Sequence, residues 1–412
     1  MQEENLHNSR SSTNGAQSAQ SAMRAAPPVR IRIGCCHREC AMSEFPHAML
    51  REMYEQPEAI QRTLDLYLDG DKLKAEAFDE IAGWLNPRGE VLIAASGSSR
   101  HAGLFGEILL EDLCGLAVDV EYASEWGTRS TVNPRRPSVL VISQSGETSD
   151  TLAALRLARE AGEPTLALAN VPGSSMLREA YAAMPLAAGK EFAIPATKSF
   201  TCQLTALYLL ALYEAERLGV MDAGQISASI RALRELTSQI ARQLDGWRDA
   251  TKALAHKYAD ANTFLYLGRG IHYAIAREGA LKMKESSYVH AEGYPAGELK
   301  HGPNALVGNQ TPLVALATVD KGLEDSALRY EKTVQLLEDM KKQGARVIAI
   351  TNKGDETIRG LVSDVIEVEP TSEYLLPIEE VVPLQLFSYF MALEHGVDVD
   401  KPRNLSKAVI EV

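Results

Sequence analysis

The sequence predicts an α/β protein of two tandem units, each a parallel sheet flanked by helices in a flavodoxin-like three-layer sandwich. Short apolar runs at 91–95, 139–143, 165–170, 263–267, 313–317, 347–351 and 365–368 alternate with helical stretches. Unbroken apolar runs of that kind suit strands covered on both faces. The pattern is also written twice. TLAALRLAREAGEPTLALAN (151–170) falls in register with TVQLLEDMKKQGARVIAITN (333–352), matching Gly162 with Gly344 and Asn170 with Asn352. VLIAASGSS (91–99) likewise matches FLYLGRG (264–270), a strand running into a turn of small residues. At 412 residues the chain is long enough for two such cores.

Each element then follows in order. Residues 1–45 are rich in Ser, Asn, Gln, Ala and Pro without hydrophobic period and are expected to be disordered, with Met42 or Met49 a conceivable translation start. Amphipathic order begins near Pro46, and 46–77 form a helical arm ending about the Gly70 turn. The first α/β unit spans 78–222 and the second 259–399. Between them, Ile226, Ile230, Leu233, Leu236, Ile240 and Leu244 recur at helical spacing, so 223–258 is a helical connector whose stripe belongs to the core. A tail, 400–412, carries Lys407 and must dock somewhere on the units.

Composition narrows the partners. A net charge of −13 argues against nucleic acid, but not against a small phosphorylated ligand held by backbone N–H groups and hydroxyls. No segment has the ~18 consecutive apolar residues of a membrane span, and the N-terminus has no apolar core of a secretory signal. Of five cysteines, Cys114 and Cys202 sit in apolar stretches as buried thiols. Cys35, Cys36 and Cys40 lie with His37 in a spacing that fits no standard zinc pattern. No metal and no cofactor are expected, and the cytoplasm is the natural compartment.

Two kinds of segment carry chemistry. SGSS (96–99) and SQSGET (143–148) each end a strand and open a helix. There Ser98, Ser99, Ser143, Gln144, Ser145 and Thr148 can hold an anion beside converging backbone N–H groups, although hydroxyls at such turns also serve as plain helix caps. A third turn, PATKSF, adds Thr197. In the second unit, EGALKMKESSYVHAEGYPAGELKHGP (278–303) places Lys282 three residues before Glu285 on one helix face. Alone that would be a solvated ion pair. It continues, however, into a Gly- and Pro-punctuated segment, read as an irregular loop absent from the first copy, with Glu292, Glu298, Lys300 and His301. Carboxylate, imidazole and lysine together are the parts for proton shuttling at a carbonyl.

With MYEQP, SQSGETSDTLAALRLA, NVPGSSMLREA, LGRG, the 278–303 segment, VPLQL and DVDKPRNLSK, the chain from about residue 50 to its end resembles the isomerase half of glucosamine-6-phosphate synthase, two sugar isomerase (SIS) domains in tandem. The resemblance implies that Ser99, Ser143, Gln144, Ser145 and Thr148 hold a sugar phosphate. Glu285 would move a proton between C1 and C2, Lys282 would assist at the sugar hydroxyls, and Lys407 would form an imine with the open-chain ketose. His301 would open the sugar ring in the neighbouring subunit of a homodimer. The synthase's glutaminase half has no counterpart in residues 1–45, and Pro195-Ala196 replaces a small residue and a substrate-touching serine. SGSSRHAG and TKSF are similar also to stand-alone SIS deaminases. The expectation is an isomerase interconverting glucosamine 6-phosphate with fructose 6-phosphate and ammonia, acting as a deaminase. Ammonia-dependent synthesis, deglycation of another 6-phosphosugar amine and a sugar-phosphate-sensing module are the alternatives.

Overall fold

A computed structural model describes residues 45–128 and 136–407. The extension before Phe45, with its cysteine cluster and Met42, lies outside the described residues.

The chain enters through α1 (Ala48–Tyr54) and α2 (Gln56–Tyr67). Pro57 sits in the first turn of α2, where its missing N–H leaves no helix bond unmade. The hairpin β1 (Leu68–Asp69) and β2 (Lys72–Leu73) turns at Gly70, whose φ of +57° is left-handed backbone that a residue without Cβ adopts at least cost. After α3 (Ala75–Asp79) come β3 (Glu90–Ala95), α4 (Gly97–Cys114), β4 (Ala117–Tyr122), α5 (Ala123–Trp126) and β5 (Ser138–Ser143). The first unit closes with α6 (Ser149–Glu160), β6 (Thr165–Ala169), α7 (Ser175–Glu179), β7 (Ala182–Pro185) and α8 (Lys198–Arg217).

The connector is one long helix, α9 (Ala223–Lys257), started by a reciprocal capping box between Asp222 and Gln225. Its apolar stripe is buried, as the spacing requires. The second unit holds β8 (Thr263–Gly268), α10 (His272–Ser287), β9 (His290–Pro295), two 3-10 turns (Ala296–His301 and Pro303–Leu306) and β10 (Leu313–Ala317). It ends with α11 (Glu324–Lys342), β11 (Val347–Asn352), α12 (Glu356–Arg359), β12 (Asp364–Val368) and α13 (Leu376–Glu394).

Both sheets have five strands, all parallel, in the same order: β4-β3-β5-β6-β7 and β9-β8-β10-β11-β12. The duplication is therefore structural as well as textual. Gly162 and Gly344, matched in sequence, both stand just past a helix in left-handed backbone, at φ +75° and +73°.

One expectation is corrected. The first part of the segment read as an irregular loop, His290–Pro295, is the edge strand β9, paired along its length with β8. It is the counterpart of β4, so it is not absent from the first copy. Its Gly and Pro misled for physical reasons. A Cβ on Gly293 would stand 2.6 Å from the Arg277 Cα, so the glycine lets α10 lie against the strand. Pro295 merely closes an edge strand, a position that tolerates a missing donor.

The two sandwiches meet through helices. One continuous core joins the inner faces of both sheets with α4, α8, α9, α10 and α13, while separate clusters sit under α6 on one outer face and α11 on the other. Helix α13 is apolar and long enough to cross a membrane by composition alone, but 94% of its apolar window is buried inside the fold. The tail is fastened at Asp400. Its carboxylate accepts from the backbone N–H groups of Ala48 (2.9 Å) and Met49 (2.8 Å) at the start of α1, and its carbonyl accepts from Ile194 N–H (3.0 Å).

Candidate active site

The hydroxyl turns lie side by side because β3 and β5 are hydrogen-bonded neighbours. After β5 the chain folds back on its own serine. Ser143 Oγ accepts from Gly146 N–H (3.0 Å) and stands 3.0 Å from Thr148 Oγ1 and 3.5 Å from Ser145 Oγ, while Ser145 Oγ accepts from Glu147 N–H at 3.1 Å. Gly146 is obligatory here, because its φ is +68° and a Cβ would fall 2.1 Å from Ser174 Oγ. After β3, Ser99 is buried and accepts from Gln203 Nε2 of α8 at 3.0 Å. Gln144 is partly exposed, and its backbone carbonyl accepts from Asn170 N–H at 3.1 Å.

Lys282 and Glu285 form more than a surface pair. Lys282 Nζ lies 2.5 Å from Glu285 Oε2 and 3.4 Å from Glu278 Oε1, with Lys282 and Glu278 both buried. Glu278 Oε2 in turn meets His101 Nδ1 of α4, in the other unit, at 2.8 Å. Ser98 also hydrogen-bonds Glu278, which ties the first hydroxyl turn to this ion cluster. Burial alone would push the Lys282 ammonium down, yet Glu285 and Glu278 hold it above the ordinary lysine range. Burial would likewise raise Glu278, but Lys282, His101 and Ser98 keep its carboxyl below the usual range. His101 is pushed down by burial against the pull of Glu278. Since the Glu278 carboxylate only accepts, the His101 proton sits on Nδ1.

The tail brings Lys407 inward. Its Nζ donates to Glu191 Oε2 and to the Ala193 carbonyl, both at 2.6 Å. Glu191, fully buried within the stretch between β7 and α8, also accepts from the N–H groups of Thr197 (3.0 Å) and Ser199 (3.2 Å) and from Ser199 Oγ (2.7 Å). Burial opposes its charge, but Lys407 and these donors hold its carboxyl low. Glu191 is also close enough to add to the field on Lys282, which links the tail to the Lys282 cluster. A further carboxyl, Glu52 of α1, accepts from Phe192 N–H at 2.5 Å and is pushed up to about 7 by burial and by Glu191. Thr197 is buried, with an Oγ1 that has no partner among the described residues.

His301 stands apart. It ends an exposed 3-10 turn and has no side-chain partner among the described residues. Lys300 pairs with Asp339 on the surface at 2.6 Å, and Glu298 is exposed. Three contributors escaped the sequence reading: His101, Glu191 and Glu52. Only the phrase SGSSRHAG hinted at the first, and nothing local marked the other two. Among the described residues no group of three His, Cys, Asp or Glu is placed to hold a metal ion. Cys114 and Cys202 are buried thiols, both pushed up to about 12 by burial.

Comparison with known proteins agrees with this architecture. The SIS domain family matches residues 85–213 and 257–395, more than half of the chain. A glutamine–fructose-6-phosphate aminotransferase (isomerizing) of Chlorobaculum tepidum is 41% identical over 367 residues, 89% of this chain and 58% of that protein. Its counterpart in Thermus thermophilus is 42% identical over 368 residues, again 89% of this chain and 59% of the relative. The chain thus spans a little under three-fifths of the length of these relatives. Among solved structures, the C-terminal domain of glucosamine-fructose-6-phosphate aminotransferase from Francisella tularensis superposes with a TM-score of 0.80 at 34% identity, covering 87% of this chain and 99% of that one. A glucosamine-6-phosphate deaminase from Thermotoga maritima shares the fold at 22% identity, with a TM-score of 0.66 over 88% of this chain and 99% of that one. Two matched regions on two parallel sheets of the same strand order place the chain in the SIS-domain family, as a tandem pair similar to the isomerase half of the glutamine–fructose-6-phosphate aminotransferases.

Proposed function

We propose that the chain is a sugar-phosphate aldose–ketose isomerase that interconverts glucosamine 6-phosphate with fructose 6-phosphate and ammonia. The observation that carries the reading is that two lysine–carboxylate pairs join the hydroxyl turns, Lys282–Glu285 through Glu278 to Ser98 and Lys407–Glu191 directly to Thr197. The turns at Ser98, Ser99, Ser143, Gln144, Ser145 and Thr148, with Thr197, bind the phosphate and orient the open-chain sugar. Glu285, paired with Lys282, removes the C2 proton of the amino aldose and returns it to C1 while an amine N–H proton passes to O1, which leaves a C2 ketimine. Lys407, held in place by Glu191, releases its ammonium proton to solvent and attacks that carbon as the free amine. Ammonia departs, and water hydrolyses the lysine imine to release the ketose and regenerate the amine. His301 serves ring opening from a partner subunit in a homodimer, since within one chain it lies exposed and away from these groups.

With free ammonia scarce, water captures the imine and the site releases amine, which is the direction we assign. The similarity to proteins named as aminotransferases favours a second reading, in which supplied ammonia captures the lysine imine and the same steps run toward the amino sugar. Purified protein given glucosamine 6-phosphate should produce ammonia and fructose 6-phosphate in equal amounts. Given fructose 6-phosphate and an ammonium salt, it reports the reverse. Activity in neither direction would reject the reading.

A further inference from the structure

The second unit has its own crevice at the place where the first holds its hydroxyl turns. Strand register fixes the correspondence. Leu92 pairs with Val139 in the first sheet and Leu265 with Leu313 in the second, so Ser96–Ser99 correspond to Arg269–His272 and Ser143 to Ala317. In both sheets the first strand sends its helix to the inner face and the neighbouring strand sends its helix to the outer face. The carboxyl end of that strand pair is a topological switch point, where open α/β sheets bind ligands.

Beside this switch point in the second unit, on its β9 side, lies a cavity of about 320 Å³, formed by the turns after β8 and β9 and by one face of α11, the helix that follows β10. Its lining includes three cations, Arg269, Arg329 and Lys332, and no carboxylate. Arg329 is already committed, with Nε and Nη2 each 2.8 Å from Glu373 Oε1. Arg269 and Lys332 have no hydrogen-bond or ion partner among the described residues, and the Arg269 Nε is buried as well. Two unpartnered cations thus share one concave site on a chain of net charge −13. The walls are shaped for close approach. A Cβ on Gly297 would stand 3.3 Å from Arg269 Nη1, and one on Gly270 would stand 2.9 Å from Arg329 Cδ.

We infer that this cavity is a second anion site, which takes the phosphoryl group of a small phosphorylated metabolite through Arg269 and Lys332. Guanidinium forks onto phosphate oxygens and ammonium supplies a point charge, a division of labour suited to a dianion. The volume lies at the low end for small-molecule sites, which suits a phosphosugar or smaller and excludes a dinucleotide. The sequence difference between the units then has a purpose: hydroxyls at one switch point, cations beside the other.

The test is titration of the full chain with inorganic phosphate, counting sites by calorimetry. In an S143A/T148A background the second unit's site should persist as one binding event per chain, and adding R269Q and K332Q should weaken it at least tenfold. K332Q alone, on an exposed stretch of α11, should weaken it severalfold and keeps the test decisive if Arg269→Gln disturbs folding. No binding in the S143A/T148A protein, or binding unchanged by R269Q and K332Q, overturns the inference. If S143A/T148A leaves the number of sites unchanged, it is the phosphate assignment of the first unit that fails, and the Arg269 and Lys332 variants still decide the second.

Discussion

His101 Nδ1 donates to Glu278 Oε2 at 2.8 Å, a bond between the two units that bridges 177 residues of sequence. It closes a chain of contacts from α4 through Glu278 and Lys282 to Glu285. His101→Ala should therefore cost about 1.5–3 kcal/mol of stability, the range for a hydrogen bond to a charged group, read by urea unfolding. If the bond also positions Glu285, turnover falls while the Michaelis constant barely moves, and His101→Asn, which can still donate, restores part of it. Loss of stability with full turnover would mean that His101 holds the units together and nothing more.

The turn after β5 should act on binding rather than on chemistry. Replacing Ser143 and Thr148 by alanine removes two hydroxyls that stand 3.0 Å apart. Each lost bond to a charged phosphate is worth about ten- to hundredfold, so the Michaelis constant should rise by at least that much and turnover should fall less. An unchanged Michaelis constant would place the phosphate elsewhere.

Lys407 Nζ is held 2.6 Å from the buried Glu191 carboxylate. Borohydride added with fructose 6-phosphate should leave a covalent adduct on Lys407 by peptide mass spectrometry. Lys407→Arg should give none and lose every step that passes through the imine. Glu191→Gln should slow trapping, because it removes the carboxylate that holds the Lys407 Nζ in place. Full activity of Lys407→Arg would end the imine mechanism.

His272 sits between two buried carboxylates, with Nδ1 2.9 Å from Glu380 and Nε2 3.3 Å from Glu373, while Arg329 and Ser326 also bind Glu373 and Thr318 binds Glu380. Burial would lower its pKa, but Glu380 and Glu373 raise it from 6.5 to about 10. The folded protein thus keeps a proton that the unfolded chain releases above about pH 6.5. Its contribution is complete below that pH and is lost as pH rises through about 10. Glu373, held down to about 2 mainly by His272, Ser326 and Arg329 against burial, gives the opposite limb: its contribution is lost as pH falls from 4.5 toward that value. Melting temperature should decline across the alkaline window, and His272→Gln should flatten the decline while costing about 3–5 kcal/mol at neutral pH for stranded buried charge. An unaltered alkaline slope in the variant would show that other groups set it.

Much of this was legible because the central strands are buried on both faces and announce themselves as apolar runs. Three of the four edge strands did not: β4 (AVDVEY), β7 (AAMP) and β9 (HAEGYP) mix polar, small and proline residues, since an edge strand meets the core on fewer sides, whereas β12 kept a legible run at 365–368. The Lys282–Glu285 pair was readable from helical spacing alone. Glu191 was not, because its meaning comes from Lys407, 216 residues away, and no local pattern encodes a partner at that separation. His301 was readable as a reactive type, but its isolation on the surface appears only in three dimensions.

Asp400 turns the docking of the tail into a problem of linkage. Its carboxylate caps α1 through Ala48 and Met49, and its carbonyl holds Ile194, two residues beyond Phe192 and three beyond Glu191. Lifting Lys407 out of the site by a swing of the whole tail therefore uncaps a helix at the other end of the described chain, at a cost of about 0.5–2 kcal/mol. Coupling of this kind is reciprocal. Whatever steadies α1 closes the tail over the site, and whatever pulls the chain ahead of α1 out of line opens it, so the entry of the polypeptide and the docking of Lys407 at Glu191 are two readings of one equilibrium.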